Sequence, residues 1–264
     1  MKIGLIRQSE FDEAVKYAKV WLGWFKEEAK SQGHEIVFDI FDGYTPPEKI
    51  YETIEGNSPV GFLYFVGHGD TREVTTSLHN GLAFVWWLRD PRYELDSDNL
   101  RSLDRVERLF LLSCLCGKEL LPEISRRLSI PTFGFTEEYC WVVDPSYSPE
   151  NDPYARSFGI PCNDLAKAIA ADKSVEECLL IAGNSFDEQM DYWNNWIVEH
   201  PDAPKSQLVR AKLAVALLDA DKKALVGYKP GAVEMGIPFG VMLMIFFLVT
   251  IVYGLYKRFP LAKG

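Results

Sequence analysis

The stretch "LFLLSCLCGKEL", residues 109–120, decides how the chain is read. Leu109 to Leu112 are continuously apolar, the pattern of a strand buried on both faces. The run breaks at Ser113-Cys114-Leu115-Cys116-Gly117, and "ELLPEISRRL" (119–128) then repeats apolar residues at helical spacing. A buried strand passing through glycine into a helix is the unit of a parallel α/β sheet, and such sheets place ligands beyond the carboxyl ends of their strands.

The same alternation extends in both directions. "IGLI" (3–6) reads as a short buried strand. A helix follows over 9–32, with Phe11, Val15, Ala18, Leu22 and Phe25 at three- and four-residue steps, Ser9 as N-cap and Gly33 as stop. "HEIVFDIF" (34–41) is a second strand, and "TPPEKIYETIEG" (45–56) a short helix capped by Thr45 with Pro46 in its first turn. "VGFLYFVGHG" (60–69) is a third strand, "RVERLFLLSC" (105–114) a fourth and "IPTFGF" (130–135) a fifth. Asn80-Gly81 between extended stretches marks a hairpin inserted within 71–95. Residues 142–162, rich in Pro, Ser, Asp and Tyr, read as a long loop, and helices are expected at 163–171, 174–198 and 204–226.

Composition narrows the function. The 264 residues are 47% hydrophobic and 13% aromatic, enough for a sizeable core. A net charge of -10 argues against a nucleic-acid partner. Cysteines at 114, 116, 140, 162 and 178 are odd in number and irregularly spaced, so no disulfide framework is expected. The N-terminus turns charged by Arg7 and shows no apolar signal core, so the main domain is expected in a reducing cytosol. "LIRQSEFD" (5–12) lacks the G-x-G-x-x-G that a dinucleotide pyrophosphate needs. No second ligand cluster accompanies Cys114 and Cys116, so no metal is expected.

Met235 to Tyr256 is a run of 22 residues without a charge. As a helix it would span roughly 33 Å, enough to cross a bilayer core. Tyr253, Tyr256, Lys257 and Arg258 mark one end, and Pro238 falls in the first turn. A single C-terminal anchor is expected, with the N-terminal domain facing the cytoplasm.

The strand ends gather the reactive candidates. Strand three ends at His68-Gly69-Asp70 and strand four at Cys114, 46 residues later. A thiol nucleophile, an imidazole to move protons and backbone amides to hold an oxyanion are the parts of a cysteine peptidase. Gly69 and Cys114 offer the candidate amides, and Gly117 the turn into the helix. "YFVGHGD" (64–70) and "LLSCLCG" (111–117) resemble the His-Gly and Cys blocks of the caspase-like (clan CD) cysteine peptidases. That group includes caspases, metacaspases, gingipains, legumain, separase and the CHAT peptidases. The likeness covers about residues 1–200 and is nearest in motif to the CHAT, gingipain and metacaspase-like branch. Cys-x-x-Gly selects Cys114 over Cys116, which reads as a packing residue. Ser113 departs from the usual Ala, and the caspase Gln and Arg are absent.

The resemblance implies a flavodoxin-like three-layer α/β/α sandwich, a mostly parallel sheet with an inserted hairpin, and Cys114 and His68 as catalytic dyad. It implies no cofactor and a protein or peptide substrate, with activation by cleavage or by a partner protein left open. The expected layout is a peptidase domain (1–200), a helical juxtamembrane segment (201–231), a transmembrane helix (232–257) and a short tail (258–264). For the substrate pocket the rim offers both signs. Arg7 would receive an acidic side chain, whereas Asp70, Glu137, Glu138 and Asp144 would receive Arg or Lys, and their number favours a basic substrate residue. Tyr139, Trp141 and Tyr147 either wall a pocket or pack. The competing reading is an inactive fold of the same kind serving as a membrane-tethered adaptor.

Overall fold

The computed structural model describes residues 1–7, 13–41, 45–78, 81–88, 100 and 102–230. The expected Ser9 cap and the apolar run 235–256 lie outside these residues. Among the described residues no helix is long and apolar enough to cross a membrane.

Continuous apolar runs form the centre. β1 (Lys2–Ile6), β3 (Phe62–Val66), β7 (Leu109–Leu112) and β8 (Thr132–Phe135) line up with β2 (Glu35–Ile40) at one edge and β9 (Leu225–Tyr228) at the other, in the order β2-β1-β3-β7-β8-β9. All neighbours are parallel except β8 and β9. Alternation along β3 fills two cores. Phe62, Tyr64 and Val66 join one buried cluster, and Leu63 and Phe65 the other. The first cluster is completed by α1 (Glu13–Ser31), α4 (Pro153–Ala170), α5 (Val175–Glu199) and α6 (Lys205–Ala224). The second is completed by α2 (Pro47–Gly56) and α3 (Leu120–Leu128). The architecture is three-layered, with helices on both faces of a mostly parallel sheet.

From β1 the chain steps outward to β2, then returns across β1 to β3 and continues through β7 to β8. The direction therefore reverses between β1 and β3, which opens a crevice at their carboxyl ends.

The expected third strand breaks in two. β3 stops at Val66, and His68 begins a separate strand, β4 (His68–Asp70), which pairs antiparallel with β5 (Glu73–Leu78), itself paired with β6 (Gly81–Trp87). The hairpin is thus a three-stranded flap. It is held down by Val74, Val85 and Trp86, with Trp86 edge-on to Phe65 at 5.4 Å. The Tyr51 hydroxyl donates to the Val85 carbonyl, and the Leu120 amide donates to the Thr71 carbonyl at 2.9 Å.

Several boundaries differ from expectation. Thr45 does not cap α2. Pro46 occupies the N-cap without a side-chain bond, because Pro47 takes the first-turn place where a missing N–H costs nothing. The expected loop 142–162 ends at Asp152. The Asp152 carboxylate caps α4 by accepting from the Tyr154 and Ala155 amides at 2.9 and 3.2 Å, and Pro153 starts the helix. Pro161 sits inside α4 at a cost of about 3 kcal/mol. Burial of Phe158, Cys162, Leu165 and Ala166 on the same helix offsets it.

The expected boundary near residue 200 does not separate two bodies. Ala211, Ala214 and Leu218 of α6 are fully buried in the first core, and β9, which the helical expectation for 204–226 had concealed, completes the sheet.

Candidate active site

β3 and β7 are adjacent and in register, with Val66 opposite Leu112. His68 and Cys114 each follow two residues later, so neighbouring strands deliver both to the same edge. Both are half-buried and line one small pocket of about 90 Å3, together with Gly67, Ser113, Tyr139 and Trp141. The two strand ends are latched. The Ser113 hydroxyl donates to the Gly67 carbonyl at 3.1 Å, and the Gly67 amide reaches the Leu112 carbonyl at 3.4 Å. Ser113 therefore has a task that alanine could not perform.

The chain turns sharply after Cys114. The Cys116 amide donates to the Cys114 carbonyl at 2.7 Å, closing a three-residue turn with Leu115 at φ 58°. A branched, bulky residue rarely occupies this left-handed region, so the turn is strained and held from outside. Its anchors are the Leu115 amide on the Glu137 carbonyl (3.1 Å) and the Gly117 amide on the Phe135 carbonyl (2.9 Å). Gly117 is required by close approach, since an added Cβ would lie 2.9 Å from the Phe135 carbonyl.

Gly69 also serves close approach. A Cβ there would lie 2.6 Å from the Cys114 carbonyl oxygen and 2.9 Å from Ser113 Cβ. The missing side chain thus makes room for the cysteine turn.

Burial pushes the Cys114 thiol above its ordinary range. The Tyr139 amide, donating toward the sulfur, opposes the rise, while the charges of Glu138 and Asp221 add to it. Cys114 is therefore a thiol at neutral pH, and its activation requires a base. Cys116 is fully buried, its sulfur faces the Ser113 carbonyl at 3.3 Å, and its thiol is pushed up to about 12, chiefly by burial. Cys162 and Cys178 are buried as well.

The charged candidates fare differently. Arg7 is 7% exposed. Its guanidinium grips Asp39 in two bonds of 2.8 and 2.6 Å and lies 4.1 Å from the centroid of the Phe41 ring. The acidic partner expected from a substrate is already supplied by Asp39. Glu137 is exposed and pairs with Lys118 at 3.2 Å, and Asp144 pairs with Arg210 at 2.7 Å. Asp70 is exposed and its carboxylate accepts from the Thr71 amide at 2.6 Å.

Asp221 was missed. This residue on α6 is 1% exposed, its Oδ1 accepts from the Cys140 amide at 3.3 Å, and its Oδ2 has no hydrogen-bond partner. Burial pushes its carboxyl up to about 8. The signal was present in the sequence, because Asp221 continues the buried stripe Ala211, Ala214, Leu218 at three- and four-residue steps. Among the described residues no group of histidine, cysteine and carboxylate side chains could hold a metal ion.

The chain matches no protein-family model, and no curated protein matches its sequence significantly.

Proposed function

We propose that the chain is a caspase-like cysteine endopeptidase with Cys114 as nucleophile and His68 as general acid/base. The observation that carries the reading is the shared pocket of His68 and Cys114 at the carboxyl ends of adjacent parallel strands. His68 takes the thiol proton as the sulfur attacks the scissile carbonyl carbon, and the tetrahedral oxyanion faces the amides of Gly69 and Cys114. Collapse expels the amine, which His68 protonates. Water, deprotonated by His68, then releases the acyl group and restores the thiol. A Cys114 thiol held protonated at rest fits this order, because proton removal then accompanies attack. The run 235–256 would tether the domain to a bilayer and restrict it to substrates near that membrane.

The test is alkylation of Cys114 by iodoacetamide across pH, read by peptide mass. His68→Ala is expected to slow Cys114 at least tenfold at neutral pH and to leave Cys140 unchanged. Equal rates in the two proteins overturn the dyad.

A second reading is an inactive fold of this kind acting as a tethered adaptor. It is favoured by the small size of the dyad pocket, about 90 Å3. A dead fold would show no His68 dependence in the same assay.

A further inference from the structure

A groove of about 870 Å3 opens beside the dyad, within the size range of small-ligand sites. Its walls are mostly apolar and aromatic, among them Tyr17, Tyr139, Trp141, Val143 and Tyr147, with one charged residue, Lys16, at the lining. Tyr17 comes from the first turns of α1, after β1, and the others follow β8, so the groove lies at the sheet edge where His68 and Cys114 emerge.

We propose that this groove selects the substrate and takes a large apolar or aromatic side chain close to the scissile bond, an inference that rests on the peptidase reading above. Three observations carry it. The groove and the dyad pocket share Tyr139 and Trp141 as walls, so they adjoin. Tyr139, whose amide donates toward the Cys114 sulfur, also lines the groove, so the groove begins at a residue that touches the thiol. Three of the charges that would draw a basic or acidic side chain are occupied within the protein, Arg7 by Asp39, Glu137 by Lys118 and Asp144 by Arg210, while Asp70 and Glu138 stay exposed on the rim. The walls Val143 and Tyr147 remain 38% and 46% exposed, apolar surface that a side chain of the same character would cover.

The experiment uses the 264-residue chain and chloroacetyl amino-acid amides carrying Phe, Leu, Gly, Lys or Asp. The Cys114 sulfur displaces chloride from the chloromethyl carbon while the thiol proton passes to His68, so the alkylation rate reads how well the attached side chain is held. Phe and Leu amides are expected to alkylate Cys114 about ten- to a hundredfold faster than the Gly amide, the range set by burying one such side chain. Val143→Asn is expected to abolish that preference, read within the variant as the ratio of its Phe-amide to its chloroacetamide rate, which separates groove binding from thiol reactivity. Preference for the Lys or Asp amide, or no preference, overturns the groove assignment and leaves the dyad standing if the chloroacetamide rate still depends on His68. Loss of that dependence overturns both.

Discussion

Replacing Asp221 by Asn tests how the interior beside Cys114 is built. The carboxyl is 1% exposed, one oxygen accepts from the Cys140 amide and the other has no hydrogen-bond partner. In the unfolded chain it ionises near the ordinary aspartate value of 3.8, and in the fold burial pushes it up to about 8. Between those values the folded state binds a proton that the unfolded state has released, so stability falls as pH rises through the window and levels off above it. The slope is about 1.4 kcal/mol per pH unit, or about 4 kcal/mol between pH 4 and pH 7. Asparagine keeps a carbonyl for the Cys140 amide and does not titrate. Urea unfolding of both proteins from pH 4 to pH 9 should therefore show the parent losing about 4 kcal/mol relative to Asp221→Asn by pH 7. Subtraction removes the other carboxylates, including Glu123 and Asp39, which their arginine partners hold low and whose contributions rise with pH. Parallel stability curves would refute the reasoning, because they would mean that the carboxyl is solvated or paired in the fold.

Gly69→Ala should lower stability by about 1–3 kcal/mol, since its Cβ meets the Cys114 carbonyl at 2.6 Å, and should slow Cys114 alkylation. Gly183→Ala, mid-helix with its nearest neighbour at 3.7 Å, should instead gain about 0.5–1 kcal/mol in the same unfolding assay. Cys116 should resist iodoacetamide in the folded protein and react only on adding denaturant, because its thiol is buried and pushed up to about 12. Asp39→Asn should cost about 2 kcal/mol at neutral pH in chemical denaturation, less than a fully buried pair because solvent screens part of it. The loss should vanish in acid, since the Arg7–Asp39 contribution is present above the ordinary carboxylate range and disappears as pH falls through the lowered native value.

Local chemistry made much of the fold legible. Continuous apolar runs such as Phe62–Val66 and Leu109–Leu112 can only be strands covered on both faces, and the three- and four-residue steps of Val15, Ala18, Leu22 and Phe25 can only be one face of a helix. The convergence of His68 and Cys114 was readable too, because parallel strands of one sheet send their carboxyl ends to one edge. Misreadings came where a local signal has two structural outcomes. Pro153 and Asp152 suit a loop as well as a helix start, and Leu225–Tyr228 is too short to declare itself a strand without β8 beside it.

Charge and close approach were decided by tertiary structure alone. Nothing in the order of residues pairs Arg7 with Asp39 or Asp144 with Arg210, and those pairs take two of the expected rim charges away from a substrate. Gly69 reads as a permissive residue in the sequence, and only the packing of β4 against the Cys114 turn makes it a steric requirement. The sequence by itself determined which residues lie inside and which reach the edge of the sheet, because periodicity and hydrophobicity act over a few residues. The partners met there come from distant segments, and which side chain meets which depends on the three-dimensional packing of the layers.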